Sequence, residues 1–406
     1  MNTELFLAQK IRKTKGKTFS STVITIGVAS IAVGITAIIL SFAILFGFKN
    51  TIKEKLFAMS SHIQVSKITL NQSYEEAPFV DNGDLKQILE NNENVASINT
   101  IALKSAILKS SSQITGTLLK GTDQNYGWDK FENNLIAGRA IEFDTSGYAN
   151  EIIISQKLQR LLEVELDDDM LIYFIQSPPR ARKVKIVGIY ETGIQELDEA
   201  YALVDIGLIR KINNWSDNEI GHYEVFLKNP KYLDQTSDQL LENIPQDLRI
   251  HKITELMPQF FDWFGLLDRN IVIVIFLIIV IAGFNMVSVL LIMIMERTPM
   301  IGLLKSIGAG NAFIQKIFVT NALWIVVKGL IIGNLIAVSF LFIQDRFKVI
   351  PLDPENYYMK YVPVEWSWLT FLGVNIGTFL LVGAILILPS LSIFKITPVK
   401  ALKYKD

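Results

Sequence analysis

Four uninterrupted apolar runs limit what this chain can fold into: residues 20–48, 270–295, 317–343 and 366–394. Each exceeds the roughly 20 helical residues needed to cross the approximately 30 Å hydrocarbon core of a bilayer. The first run follows Lys10, Arg12, Lys13, Lys15 and Lys17, as a secretory leader would. It is about twice as long as a leader's apolar segment of 7 to 15 residues, and no small-residue cleavage pattern follows, so it reads as an uncleaved span.

The runs divide the chain into a cytoplasmic segment (1–19), a first span (20–48), an extracytoplasmic domain (49–268), a second span (269–296), a connector (297–316), a third span (317–343), an outer loop (344–365), a fourth span (366–394) and a tail (395–406). The expected fold is a membrane protein of four transmembrane α-helices with a large extracytoplasmic α+β domain inserted between the first and second. Arg297, Lys305 and Lys316 in the connector, and Lys395, Lys400, Lys403 and Lys405 in the tail, join the N-terminal bases on one side of the membrane. By the positive-inside rule that side is the cytoplasm, with both termini there. The outer loop carries Tyr357, Tyr358, Tyr361, Trp366 and Trp368, which suit a membrane interface.

The insert alternates strand-like runs ("HIQVSKITL", "EIIISQKL", "KVKIVGIYE", "YEVFLKN") with helical stretches ("DNGDLKQILENNENV", "KYLDQTSDQLLENI"). Its length suggests two lobes, the second inserted at about 119–204. The first span continues without a breaker into "KNTIKEKLFAMSSH", which predicts a helix that outlasts the lipid as a stalk.

Several chemistries are excluded or disfavoured. A net charge of -1 gives no basic footprint for nucleic acid. The chain contains no cysteine, which removes disulfides and thiolate chemistry. No phosphate-binding loop, H-E-x-x-H or G-x-S-x-G occurs, so the chain is not expected to hydrolyse ATP, and no catalytic residue or metal site is assigned. His62, His222 and His251 read as turn or surface histidines, and "DDD" at 167–169 reads as a turn before a strand, since it lacks the alternating ligands and glycine of a calcium loop. Within the spans, Asn285, Asn321 and Asn334 suit interhelical hydrogen bonds, and Gly27 and Gly34 suit close helix contact. Lys328 is costly in mid-membrane and should face protein or snorkel; no Asp or Glu lies in the four runs to form a relay with it.

The connector "MERTPMIGLLKSIGAG" (295–310) places Ile301, Leu304, Ile307 and Gly308 on one helical face, with Glu296, Arg297 and Lys305 around it. Pro299 suits its first turn, and Gly308 and Gly310 its end. Pattern alone divides evenly between an interfacial anchor and a helix that docks a partner.

The longer string "MERTPMIGLLKSIGAGNAFIQKIF" resembles the cytoplasmic coupling segment of the FtsX-like permease superfamily. "GFKNTIKEKLFAMSSHIQV", "LLKGTD", "ISQKLQRLLEVELDDDMLIYF", "KVKIVGIYETGIQELDEAYALVDI", "LDPENYYMKYVPVEWSWLTF" and "ITPVKALKYKD" are similar to the lipoprotein-releasing ABC permeases of the LolC/LolE type within that FtsX/MacB-like group. The "LDPE-YY" loop and the "VGIY-x-x-G-x-x-E-x-D" stretch favour this group over its relatives.

The resemblance implies an inner-membrane permease that pairs with a second permease subunit, identical or different. A separate ABC ATPase would bind ATP-Mg, and a lipoprotein would pass from the outer leaflet to a periplasmic carrier. Glu296, Arg297, Ile301, Gly302, Leu304, Lys305 and Gly308 would then dock the ATPase. Phe42, Leu45, Phe46 and Phe48 of the first span, with Phe264, Leu267, Ile271 and Ile275 of the second, would shelter acyl chains and membrane lipid. In the family a longer loop before "KVKIVGIY" hooks the carrier; here only "FIQSPPRARK" is present, which leaves Pro178, Pro179, Arg180 and Arg182 as a reduced carrier-facing loop or a plain hairpin turn. Two relatives are alternatives: an efflux permease of the macrolide-exporter type, and a division-type permease that regulates extracytoplasmic hydrolases.

Overall fold

The computed structural model describes residues 19–69, 76–81, 83–144 and 147–398. The bases used to orient the chain at Lys10, Arg12, Lys13, Lys15, Lys17, Lys400, Lys403 and Lys405 lie outside the described residues. Two compact units emerge. One comprises Met1–Lys49, Trp263–Pro351 and Tyr361–Asp406; the other comprises Asn50–Asp262 and Leu352–Lys360.

The first unit is a helical bundle. Its four long apolar helices are Phe19–Leu56, Pro258–Glu296, Asn311–Phe347 and Trp368–Ser390, and each is long and apolar enough to cross a membrane. The first is continuous well past the apolar run, to Leu56. The first and third spans approach most closely at Gly329 and Gly333, a small-xxx-small pair of the kind that lets backbones touch. A Cβ on Gly329 would lie 2.6 Å from Cβ of Ile31, and one on Gly333 only 2.5 Å from the carbonyl oxygen of Ala32. Thr36 donates to that same Gly333 carbonyl at 3.0 Å.

Gly27 faces Val289 and Ile325, and Gly34 faces Ile278. Asn285 donates to Ser30 at 2.7 Å, tying the second span to the first. Asn334 and Asn375 exchange hydrogen bonds of 2.6 and 3.0 Å between the third and fourth spans. Asn321 is buried, and Lys328 is exposed on the surface of the bundle.

Among the described residues the second unit has twelve strands: β1 (Ile63–Lys67), β2 (Phe79–Val80), β3 (Val95–Lys109), β4 (Ile114–Thr122), β5 (Leu135–Gly138), β6 (Glu151–Ser155), β7 (Asp169–Phe174), β8 (Arg180–Tyr190), β9 (Tyr201–Asp205), β10 (Glu219–Ile220), β11 (His222–Leu227) and β12 (Leu248–Lys252). Ten form one sheet in the order β12-β1-β11-β3-β4-β9-β6-β8-β5, with β7 paired to β3 and β8; β2 and β10 form a separate pair. The long strand β3 pairs with β11 through residues 95–101 and with β4 through 102–109.

Two cores follow from that division. One packs Ile63, Val65, Tyr223 and Val225 under Leu89 and Leu240. The other packs Ile152, Ile154, Ala202 and Val204 with Ile172, Val184, Leu158 and Leu208. The two cores give the unit two lobes that share one sheet.

The run "EIIISQKL" divides at Ser155, whose hydroxyl accepts from Leu158 N at 3.0 Å and starts the helix Gln156–Leu162. A serine at that position satisfies an amide the helix cannot, so the strand reading ends there. "DDD" forms the turn into β7, where Lys185 pairs with Asp167 and Lys183 with Asp169, both at 2.7 Å.

Candidate functional site

The connector folds as a helix over Thr298–Ser306, with Pro299 in its first turn and Gly308 in the left-handed region at φ 94° just past its end. Ile301 and Gly302 are buried in the bundle core. Lys305 turns inward and donates to the carbonyls of Ile393 and Ile396 at 2.8 and 2.6 Å. Leu304 is half-buried against the same core. Those four therefore seat the helix on its own bundle and are not a free docking surface. Of the face read in the sequence, Ile307 is 73% exposed, and the exposed apolar residues beside it are Met295 and Leu303. Glu296, Pro299 and Gly308 are exposed too, and Arg297 is half-buried. The periodicity was legible, but which side faced the bundle was not: Leu303 and Ile307 recur at i, i+4 as regularly as Ile301 and Leu304.

The shelter residues divide into two groups. Phe48 packs edge-on against Trp263 at 5.2 Å. Beside it Lys49 pairs with Asp268 at 2.7 Å and lies 5.7 Å from the Phe264 ring. These ends of the first and second spans form a clasp, with Leu45 and Phe264 buried and Leu267, Ile271 and Ile275 half-buried. Phe42 and Phe46 stack at 5.7 Å and line an open apolar pocket that Val338 and Leu341 of the third span and Phe371 and Val374 of the fourth complete. Trp366 and Trp368 stand at its rim. The sequence reading paired Phe42 and Phe46 with the second span, whereas the pocket they line is completed by the third and fourth. Nothing in a linear pattern tells which two helices of four become neighbours.

In the inserted domain Pro178 and Pro179 are exposed at the tip of the β7–β8 hairpin, next to Ile175, which is also exposed. Arg180 instead donates to the carbonyls of Lys211 and Ile212 and to Asn214, and Arg182 reaches Tyr148 at 3.3 Å. Both arginines are engaged on their own lobe.

A buried charged cluster at the junction of the lobes escaped the sequence reading. Lys120 donates to Glu224 and to the Met59 carbonyl, each at 2.7 Å. His222 pairs through Nδ1 with Glu76 at 2.5 Å. Burial opposes the imidazolium, but Glu76 and Glu224 outweigh it and push the His222 pKa up to about 9. His62 is buried too, stacked on Phe57 at 4.0 Å, and burial pushes its pKa down to about 4. Neither is the turn or surface histidine expected from spacing; both occupy strand positions or their edges. His251, in β12, is half-exposed. A lysine inside "ITGTLLKGT" was the one available sign, since a charge in an apolar strand pattern requires a buried partner.

Sequence comparison decides the family. A family model described as MacB-like periplasmic core domain matches residues 24–242, more than half of the chain. The chain belongs to the MacB-like periplasmic core domain family. Residues 272–398 match a second model, the FtsX-like permease C-terminal region. The chain is 23% identical to the lipoprotein-releasing system transmembrane protein LolE of Haemophilus influenzae, over 99% of each chain. It is 22% identical to LolC of Neisseria meningitidis over 97% of each, and 23% identical to LolC of Buchnera aphidicola over 88% of each.

Among solved structures, the extracellular domain of the ABC-type transporter YknZ matches at 15% identity and a TM-score of 0.32, covering 47% of this chain and 99% of that one. The periplasmic region of MacB from Actinobacillus actinomycetemcomitans matches at 13% identity and 0.35, covering 51% and 95%. On the family models and the full-length relatives, this MacB-like chain is a membrane permease of four spans with a sheet-rich α+β domain between the first two, similar along nearly its whole length to LolC and LolE proteins.

Proposed function

We propose that the chain is a permease subunit of an ATP-driven system that draws lipoproteins from the outer leaflet of the inner membrane and passes them to a periplasmic carrier. The observation that carries this reading is the correspondence with LolE and LolC along 97–99% of both chains, spans and inserted domain alike. Two features of the geometry support it. The open pocket at Phe42 and Phe46 offers an apolar lining, and each methylene drawn from lipid costs about 0.8 kcal/mol until it is buried again. The connector helix presents Leu303 and Ile307 outward, a surface of the kind that docks a partner. The energy would come from ATP-Mg on a separate ATPase subunit bound there.

Both termini then lie in the cytoplasm, and the machine contains a second permease subunit, a copy of this chain or a different one. Carrier contact falls to the exposed Pro178–Pro179 tip, since Arg180 and Arg182 are engaged elsewhere. A second reading, a force-transmitting efflux permease, is favoured by the MacB-like core domain itself. Proteoliposomes holding the chain with its cognate ATPase, a carrier and an acylated lipoprotein separate the two. ATP-dependent appearance of the lipoprotein in the soluble fraction supports extraction. A complex that hydrolyses ATP and leaves the lipoprotein in the membrane overturns it.

A further inference from the structure

Two stretches quoted above for their resemblance to the lipoprotein-releasing permeases, "VGIYETGIQELDEA" (187–200) and "LDPENYYMK" (352–360), are remote along the chain. They meet inside one compact unit. Tyr358 donates its hydroxyl to Glu196 at 3.2 Å across a sequence separation of 162 residues. Lys360 lies 3.9 Å from Glu191. The Tyr358 ring also packs on Phe260 at 5.7 Å, and Met359 is buried.

The backbone on both sides is shaped for this contact. Tyr358 is held at φ 59°, in the left-handed region that a tyrosine seldom adopts, and such a conformation persists only where its surroundings impose it. Opposite it Gly193 sits at φ 73°. Its positive φ favours glycine, and a Cβ there would fall 2.2 Å from Nζ of Lys55, which would have to swing away, and in ordinary contact at 3.5 Å with the carbonyl oxygen of Tyr358. Lys55 comes from the last turn of the first helix.

The glycine loop is itself braced. Asp198 accepts from Thr192 N at 3.0 Å, Thr192 Oγ1 at 2.7 Å and Gly193 N at 3.1 Å. On the other side the loop 352–360 is closed at its neck by Leu352 N to Lys360 O at 2.9 Å. Just beyond that neck Val362 N bonds to Ile350 O at 3.1 Å, and Pro351 bridges Tyr361. The loop is a stiff finger whose two ends run directly into the third and fourth spans. A stiff finger seated on a braced socket passes on displacement, whereas a floppy connection would absorb it.

We propose that the two signature stretches are the halves of one joint, with Glu196 and Tyr358 as positioning residues, through which movement of the third and fourth spans reaches the lobe that carries β8 and β9. The inference rests on the permease reading for what is moved, though not for whether the joint exists. Lys55, at Gly193, and Phe260, against the Tyr358 ring, belong to the same compact unit and pack beside the joint.

The test uses the whole complex with its cognate ATPase in lipid nanodiscs. Hydrogen exchange is followed in 191–198 and 352–360, nucleotide-free and trapped with ATP and vanadate. In the native chain both segments should change protection together. In Tyr358→Ala, and independently in Glu196→Ala, the change in 352–360 should remain and that in 191–198 should vanish. Lipoprotein release should fall about tenfold, within the usual range of coupling between distant sites, while ATP hydrolysis stays unchanged. Because the native chain has no cysteine, Glu196→Cys/Tyr358→Cys can be bridged by a short thiol-reactive linker. Bridging should restore release, which a variant that had merely misfolded would not allow. Native-like exchange and release in both alanine variants, or a bridge that blocks release, would overturn the proposal. If the native complex releases no lipoprotein, the permease reading falls and the exchange pattern alone decides the joint.

Discussion

The first and third spans differ from the second and fourth in how they spend their apolar side chains. In the most apolar stretch of the first and third, 44% and 39% of residues are buried within the chain; in the second and fourth the figure is 17% each. The inner pair is locked by Gly329 and Gly333 against Ile31 and Ile35, and by Thr36 on the Gly333 carbonyl. The outer pair leaves Phe276, Ile281, Phe284, Leu369 and Leu380 outward. Mean hydropathy distinguishes these helices poorly; backbone proximity separates them. The inner pair packs within the chain, and the outer pair leaves most of its apolar surface uncovered by the chain itself.

The sharpest way to break that contrast is to move bulk into the inner pair. Gly333→Val would drive a side chain into the Ala32 backbone, which cannot retreat as a flexible side chain would. The expected cost exceeds the 1–3 kcal/mol of ordinary overpacking, seen as loss of the monodisperse peak in detergent. The inserted domain has its own locked centre for comparison. Lys120→Met should cost up to about 3–5 kcal/mol in denaturant unfolding, because buried Glu224 loses its 2.7 Å partner and keeps only His222 at 4.0 Å, and adding Glu224→Met should recover most of it. A double variant as unstable as the single one would show that the pair is itself a large source of stability.

On the exposed connector face, Ile307→Asp should leave thermal stability nearly unchanged and abolish ATP-driven release, while Ile301→Asp should unfold the bundle. Equal effects from both would show that the exposed face has no special role. The smallest effect belongs to the outer pair, where Leu380→Val should shift stability by less than about 0.5 kcal/mol.

The two buried histidines set a pH window for the inserted domain. The pKa of His222 is raised in the fold, so its contribution is complete below about 6.5 and fades as pH rises through about 9. The pKa of His62 is lowered, so the fold loses stability as pH falls from about 6.5 towards 4 and the unfolded chain takes up the proton. Denaturant midpoints of the full chain at pH 5, 6.5 and 9 should peak at the middle value, and His222→Gln should flatten the alkaline side only.

What the sequence made legible was what is local. The four runs, the turn at "DDD", the end of the connector helix at Gly308 and the alternation of strands with helices each depend on neighbours within a few residues. Relations that depend on the partner across space were not legible. Gly329 and Gly333 carry no local mark that Ile31 and Ile35 lie against them. The face read as Ile301, Leu304, Ile307 and Gly308 divides in the fold: Ile301 is buried in the bundle and Ile307 is exposed with Leu303. That Phe42 and Phe46 share a pocket with the third and fourth spans has no local mark, and Lys120 gave no hint that Glu224, 104 residues away, would neutralise it.

The most direct measurement compares one lipoprotein in two forms, acylated and with its acyl chains removed, in proteoliposomes with the chain, its cognate ATPase and a carrier. A macrolide dye would be followed in parallel. ATP-dependent release of the acylated form into the soluble fraction, with no ATP-dependent movement of the dye, is the predicted result. ATP-dependent dye transport with the acylated lipoprotein left in the membrane would contradict the account and favour an efflux permease.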